Sequence, residues 1–87
     1  MTIEDYIQSR DCSPNLKSHL YGVMQTCGYN GASHDILIDN SEMMTLYGSL
    51  QSYLGGSPVK THTLHGGKNQ IRLSQFVDSV VEAYTNV

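Results

Sequence analysis

Four histidines and two cysteines are the side chains in this sequence best suited to hold a soft metal or attack an electrophile, and their spacing supports neither. Zinc sites use close pairs such as Cys-x-x-Cys, or His-x-x-x-His on a helix, because ligands so spaced converge on one ion. Cys12, Cys27, His19 and His34 form no such pair. His62 and His65 are three apart in a segment with strand character, and an odd spacing on a strand sends side chains to opposite faces. Nucleophilic catalysis by either cysteine needs a neighbouring base and an oxyanion site, and neither cysteine lies in a nucleophile turn. Cys27 falls in the apolar stripe of its segment, where a thiol is a core group. Gly66-Gly67-Lys68-Asn69 lacks the longer glycine spacing and the Lys-Ser/Thr ending of a phosphate loop. Glu4/Asp5 and Asp35/Asp39 sit where helix N-termini and strand ends attract acids for local reasons. The expectation is a non-enzymatic chain with no metal and no cofactor.

Charge is distributed more informatively. Positions 43 to 77 contain no acid and hold Lys60, Lys68 and Arg72, a formal +3, while the rest of the chain carries −6 and the whole −3. Gly66-Gly67 supplies the positive φ angles of a two-residue hairpin turn between strands at 59–65 and 68–73. With that turn, 65 pairs with 68, 63 with 70 and 61 with 72, and paired residues share a face. Thr61, Thr63, His65, Lys68, Gln70 and Arg72 then form one polar, basic face, the candidate site for a partner or an anion. His62, Leu64, Ile71 and Leu73 lie on the other, which packs on helices. The competing explanation is that charged residues on an exposed ribbon simply block edge-to-edge pairing.

The elements that position this ribbon follow from caps and periodicity. Thr2 caps a short helix over 2–10, with Ile3, Tyr6 and Ile7 on one side. Ser13-Pro14 starts a second over 14–27, carrying Leu16, Leu20, Val23, Met24 and Cys27, and Gly28 stops it. Tyr29 to Ser33 is turn chemistry, and Asp35 to Asp39 reads as a strand with both faces partly buried. Asp39, Asn40 and Ser41 are alternative caps for a third helix over 42–54, with Met43, Leu46, Tyr47, Leu50 and Leu54 as its stripe and Gly55-Gly56 as its end. Ser74 caps the last helix, with Phe76, Val77, Val80, Val81 and Tyr84 along one side. The order is helix, helix, strand, helix, strand, strand, helix. It predicts a single α+β domain with a small three-stranded sheet (strand, helix, hairpin) and helices packed mainly on one face. The strand–helix–strand portion crosses over right-handed if its strands are parallel. A winged helix-turn-helix needs two helices where 42–54 holds one, which disfavours that DNA-binding fold.

At 87 residues there is material for one core. Apolar residues make up 39% and charged ones 15%, unlike the charge-rich profile of disorder. No run approaches the length of a membrane span and the start lacks a signal-peptide pattern, so the cytoplasm is the expected compartment. A pI near 5.6 disfavours extended nucleic-acid binding, which calls for a broad basic patch. The leading expectation is a small binding protein acting as a regulator, adaptor or inhibitor of a larger protein or complex, one version being an inhibitor of a host system carried by a phage or another mobile element. The runner-up is a binder of a small phosphorylated or nucleotide ligand through the basic hairpin, which needs a homo-oligomer to close the pocket. A third reading is a homomeric assembly using Met43, Met44, Tyr47 and Tyr53 as a sticky face.

Overall fold

A computed structural model describes residues 1–53 and 69–83. Helix α1 spans Ile3–Ser9, and α2 spans Pro14–Thr26. Strand β1 is Leu37–Asp39, α3 is Asn40–Tyr53, β2 is Gln70–Arg72 and α4 is Leu73–Ala83.

Each helix starts where local hydrogen-bond chemistry dictates. Thr2 Oγ1 accepts from the Asp5 N–H at 3.2 Å, and Ser13 Oγ from the Leu16 N–H at 3.1 Å, with Pro14 in the first turn of α2. Helix α2 ends in a Schellman motif. The Tyr29 N–H donates to the Met24 carbonyl at 2.8 Å, the Gly28 N–H to Gln25 at 3.3 Å, and Gly28 takes φ +80°. Of the three cap candidates for α3, Asp39 is used. Its Oδ1 accepts from the Glu42 N–H at 2.9 Å while Glu42 Oε1 accepts from the Asp39 N–H at 3.2 Å, a reciprocal box that starts the helix two residues before the expected position 42.

The last helix corrects another expectation. Gln75 Oε1 accepts from the Arg72 N–H at 2.7 Å, so α4 begins at Leu73 and Ser74 lies inside its first turn, 8% exposed. The Leu73 and Ser74 N–H groups donate to the carbonyls of Ile36 and His34, both at 2.9 Å. Helix-start amides that would otherwise lack partners are thereby satisfied by the chain entering β1. The first strand, expected over 35–39, begins at Leu37, and the carbonyls of His34 and Ile36 before it accept from the α4 start; β2 ends at Arg72 because Leu73 opens the helix.

Strands β1 and β2 pair antiparallel, with Leu37 opposite Arg72, Ile38 opposite Ile71 and Asp39 opposite Gln70. The expected strand–helix–strand crossover joins β1 through α3 to the arm at 59–65, a different strand from β2. Among the described residues the sheet has two strands. The first hairpin arm at 59–65, the Gly66-Gly67 turn, Leu54, Gly55-Gly56 and Tyr84 lie outside the described residues. Ile38 and Ile71 face inward and are buried with Ile3, Ile7, Leu16, Leu20, Val23, Met24, Leu46, Leu50, Leu73, Phe76, Val77 and Val80. Both faces of the first strand were expected to be partly buried, but Leu37 is 56% exposed. Alternation on a three-residue strand explains the difference: one inward side chain, Ile38, leaves its two neighbours outside. Cys27, expected in the core, is half-buried at the C-cap of α2 with Sγ 3.4 Å from Ser49 Oγ.

The N-terminus is tied down by pairing that periodicity does not reveal. Thr2 forms an antiparallel bridge with Ser33, the Ile3 N–H donates to the Ala32 carbonyl at 2.7 Å, and the His34 N–H donates to Met1 at 3.1 Å.

Candidate recognition surface

Of the six expected site residues, Thr61, Thr63, His65 and Lys68 lie outside the described residues. Gln70 and Arg72 are both exposed and, two apart on β2, share the outer face of the sheet. Antiparallel pairing places Leu37 and Asp39 beside them on that face. Arg72 Nη1 donates to the Asp35 carbonyl at 3.1 Å, which fixes the guanidinium over the loop entering β1. A guanidinium has five donors in a planar fork, so one anchoring bond orients the group and leaves its fork suited to a carboxylate or phosphate. Asp39 makes the described part of the face mixed in sign. Its carboxylate is already engaged at the N-terminus of α3, where the positive helix end favours it.

A second constellation combines residues that the sequence gives no reason to group. Tyr6 of α1 and Arg10 at its C-cap meet Asp78 of α4 and His34 of the connecting loop. The Tyr6 hydroxyl donates to Asp78 Oδ1 at 2.7 Å and Oδ2 at 2.9 Å. Arg10 Nη1 lies 3.4 Å from Asp78 Oδ1, and its guanidinium carbon stands 4.5 Å from the centre of the Tyr6 ring. His34 stacks on Tyr6 with centroids 5.4 Å apart and planes 18° from parallel. Its Nδ1 is 3.0 Å from the Met1 carbonyl and its Nε2 3.3 Å from Asp35 Oδ1. Arg10 Nε is buried without a hydrogen-bond partner among the described residues.

These residue types resemble acid–base machinery, yet burial raises the Tyr6 phenol above its ordinary range and the bond to Asp78 raises it further. The phenol therefore stays a donor committed to Asp78, and the cluster clamps α1 to α4. Tyr29 is pushed up more strongly, again by burial first and then by its 2.5 Å bond to Glu42 Oε2. Tyr6 and Arg10 are one helical turn apart and so were legible as neighbours, whereas Asp78 is 72 positions from Tyr6.

Removing the Tyr6 hydroxyl (Tyr6→Phe) should cost about 1 kcal/mol, less than a buried bond to a charged group because Asp78 is half-exposed. Chemical denaturation measures it. A raised phenol contributes stability that is complete below the ordinary value of 10.0 and is lost as pH rises through the folded-state value. The Tyr6→Phe deficit should accordingly shrink in strongly alkaline solution.

Among the described residues no three His, Cys, Asp or Glu side chains come together as a metal-binding group. No described helix is long and apolar enough to cross a membrane. Met43 and Tyr47, candidates for a self-assembly face, are buried at 3% and 2% exposure, while Met44 is exposed. Comparison with known protein families, with curated proteins and with solved structures finds no match to this chain.

Proposed function

We propose that this chain is a small non-enzymatic binding protein that regulates, adapts or inhibits a larger macromolecule by occupying part of its surface through the outer face of the sheet. The observation that carries the proposal is the placement of Arg72: exposed, oriented by the Asp35 carbonyl, and directly across the strand pair from the exposed Leu37. Arginine is enriched where protein surfaces meet, because its planar fork pairs with carboxylates while its stem packs on apolar groups. An arginine already held in place also loses less side-chain freedom on binding than a mobile one. The absence of acid residues from 43 to 77 extends the basic character of this part of the sequence through Lys68 and suits an acidic partner surface.

The test is co-purification of the untagged chain with its partner, measured by the mass of the complex, for wild type and Arg72→Glu. The expected result is a stoichiometric complex that the variant weakens by a factor of roughly ten or more, while its melting curve stays close to wild type. A partner held equally well by Arg72→Glu would reject the sheet face as the contact. A homo-oligomer that carries no other protein, but is stabilised by a nucleotide panel, would move the proposal to a small phosphorylated ligand.

A further inference from the structure

The residues Tyr29-Asn30-Gly31-Ala32 form a tight turn. The Ala32 N–H donates to the Tyr29 carbonyl at 2.9 Å, and Gly31 sits at φ +82°, the conformation that a type II turn demands of its third residue. Asn30 and Gly31 are both exposed. An asparagine followed by glycine is open to attack on its own side-chain amide, because the next backbone nitrogen carries no Cβ to hinder the approach. Here that nitrogen is occupied. The Gly31 N–H donates to both oxygens of Glu4, at 2.9 and 3.1 Å, from a helix 27 positions earlier.

We propose that Asn30-Gly31 is a self-modification site and that the Glu4 carboxylate sets its rate by restraining the attacking nitrogen. In the first step the Gly31 nitrogen loses its proton to solvent base and bonds to Asn30 Cγ. The Cγ–Nδ2 bond then breaks and ammonia departs with a proton returned from solvent, leaving a five-membered succinimide. Water opens that ring at either carbonyl to give aspartate or isoaspartate at position 30. No electrons are exchanged, and water is the one co-reactant. Glu4 opposes the first step twice. Its hydrogen bonds must break before the nitrogen turns onto Cγ, and its negative charge disfavours removal of the N–H proton.

The turn lies next to the pairing that holds the N-terminus. Isoaspartate adds a methylene to the backbone just before Gly31, one residue from Ala32, whose carbonyl accepts from the Ile3 N–H, and either product places a new negative charge near Glu4. Modification therefore loosens α1 from the loop that feeds β1.

The experiment incubates the folded full chain in mildly alkaline buffer and follows conversion of amide to acid in the peptide containing Asn30, by mass and by isoaspartate-sensitive chromatography. Wild type is compared with Glu4→Gln, and with Tyr6→Phe as a variant that weakens α1 while keeping Glu4. Conversion in Glu4→Gln is expected to be roughly tenfold faster than in wild type, with Tyr6→Phe near the wild-type rate. Folded wild type should also convert at least roughly tenfold more slowly than the same chain in urea, where Glu4 has no hold on Gly31. Equal or slower conversion in Glu4→Gln would overturn the proposal, since the carboxylate would then be idle or acting as a base. Should that variant fail to fold, equal wild-type rates in buffer and urea would overturn it without any substitution.

Discussion

Phe76→Ala should leave the chain unfolded or nearly so at 37 °C, with a loss of about 3–5 kcal/mol by chemical denaturation. Phe76 is fully buried, and its ring meets the edge of Tyr47 with centroids 4.8 Å apart at 70°. Truncation removes the transfer free energy of the ring and leaves a cavity between α3 and α4 that surrounding side chains fill only partly. The loss also forfeits the aromatic contact, worth about 0.5–1.5 kcal/mol beyond area alone. Small domains have total stabilities of about 5–15 kcal/mol, so one such cavity consumes much of the margin. Phe76→Leu keeps most of the volume and should cost less than half as much. A melting temperature for Phe76→Ala within a few degrees of wild type would mean that α4 is not docked as described.

Phe76 also illustrates which parts of the fold were legible beforehand. Its position in a repeat with Val77, Val80 and Val81 marks a helical face, and all four pack in or against the core. Helices are visible in sequence because their caps and stripes are local. Thr2 with Asp5, Ser13 with Pro14 and Gly28 after Cys27 each specify an end using residues a few positions apart, and each end is where those residues place it. Where two local choices compete, periodicity does not decide. Ser74 is an acceptable cap by type, but the reciprocal demand of Gln75 on the Arg72 N–H and of the His34 carbonyl on the Ser74 N–H moves the start of α4 back to Leu73.

Contacts between distant segments were not legible. Antiparallel pairing of Leu37–Asp39 with Gln70–Arg72 depends on how α3 returns the chain, and nothing in either short segment encodes direction. The alternation on Gln70, Ile71 and Arg72 was correct all the same, because a buried Ile between two polar residues fixes which face turns inward whatever the partner strand. For the candidate surface, sequence identified Arg72 and Gln70 as outward-facing. It did not identify Asp35, whose carbonyl orients the guanidinium, or Leu37 and Asp39, which share the face. The Tyr6–Arg10–His34–Asp78 clamp joins three separate stretches and lay beyond any local rule.

Two glycines give the sharpest test of the backbone. Gly28 and Gly48 would each carry a new Cβ into open space, with no heavy atom within 4 Å. Alanine therefore changes no contact at either place, and the outcome depends on backbone conformation alone. Gly28 sits at φ +80° as the left-handed residue that closes α2, where a Cβ crowds the following carbonyl and costs about 1–2 kcal/mol. Gly48 lies inside α3, where glycine is a poor helix former chiefly because the unfolded chain gains so much freedom, and alanine recovers about 0.8–1 kcal/mol. Identical chemical changes should thus move stability in opposite directions, with the two variants separated by about 2–3 kcal/mol in denaturation midpoint analysis. If both alanines lower stability, Gly48 is packed more closely than its surroundings indicate. If both raise it, the Schellman end of α2 is not formed, and with it would go the placement of Tyr29 against Glu42 and of the turn that presents Asn30 to solvent.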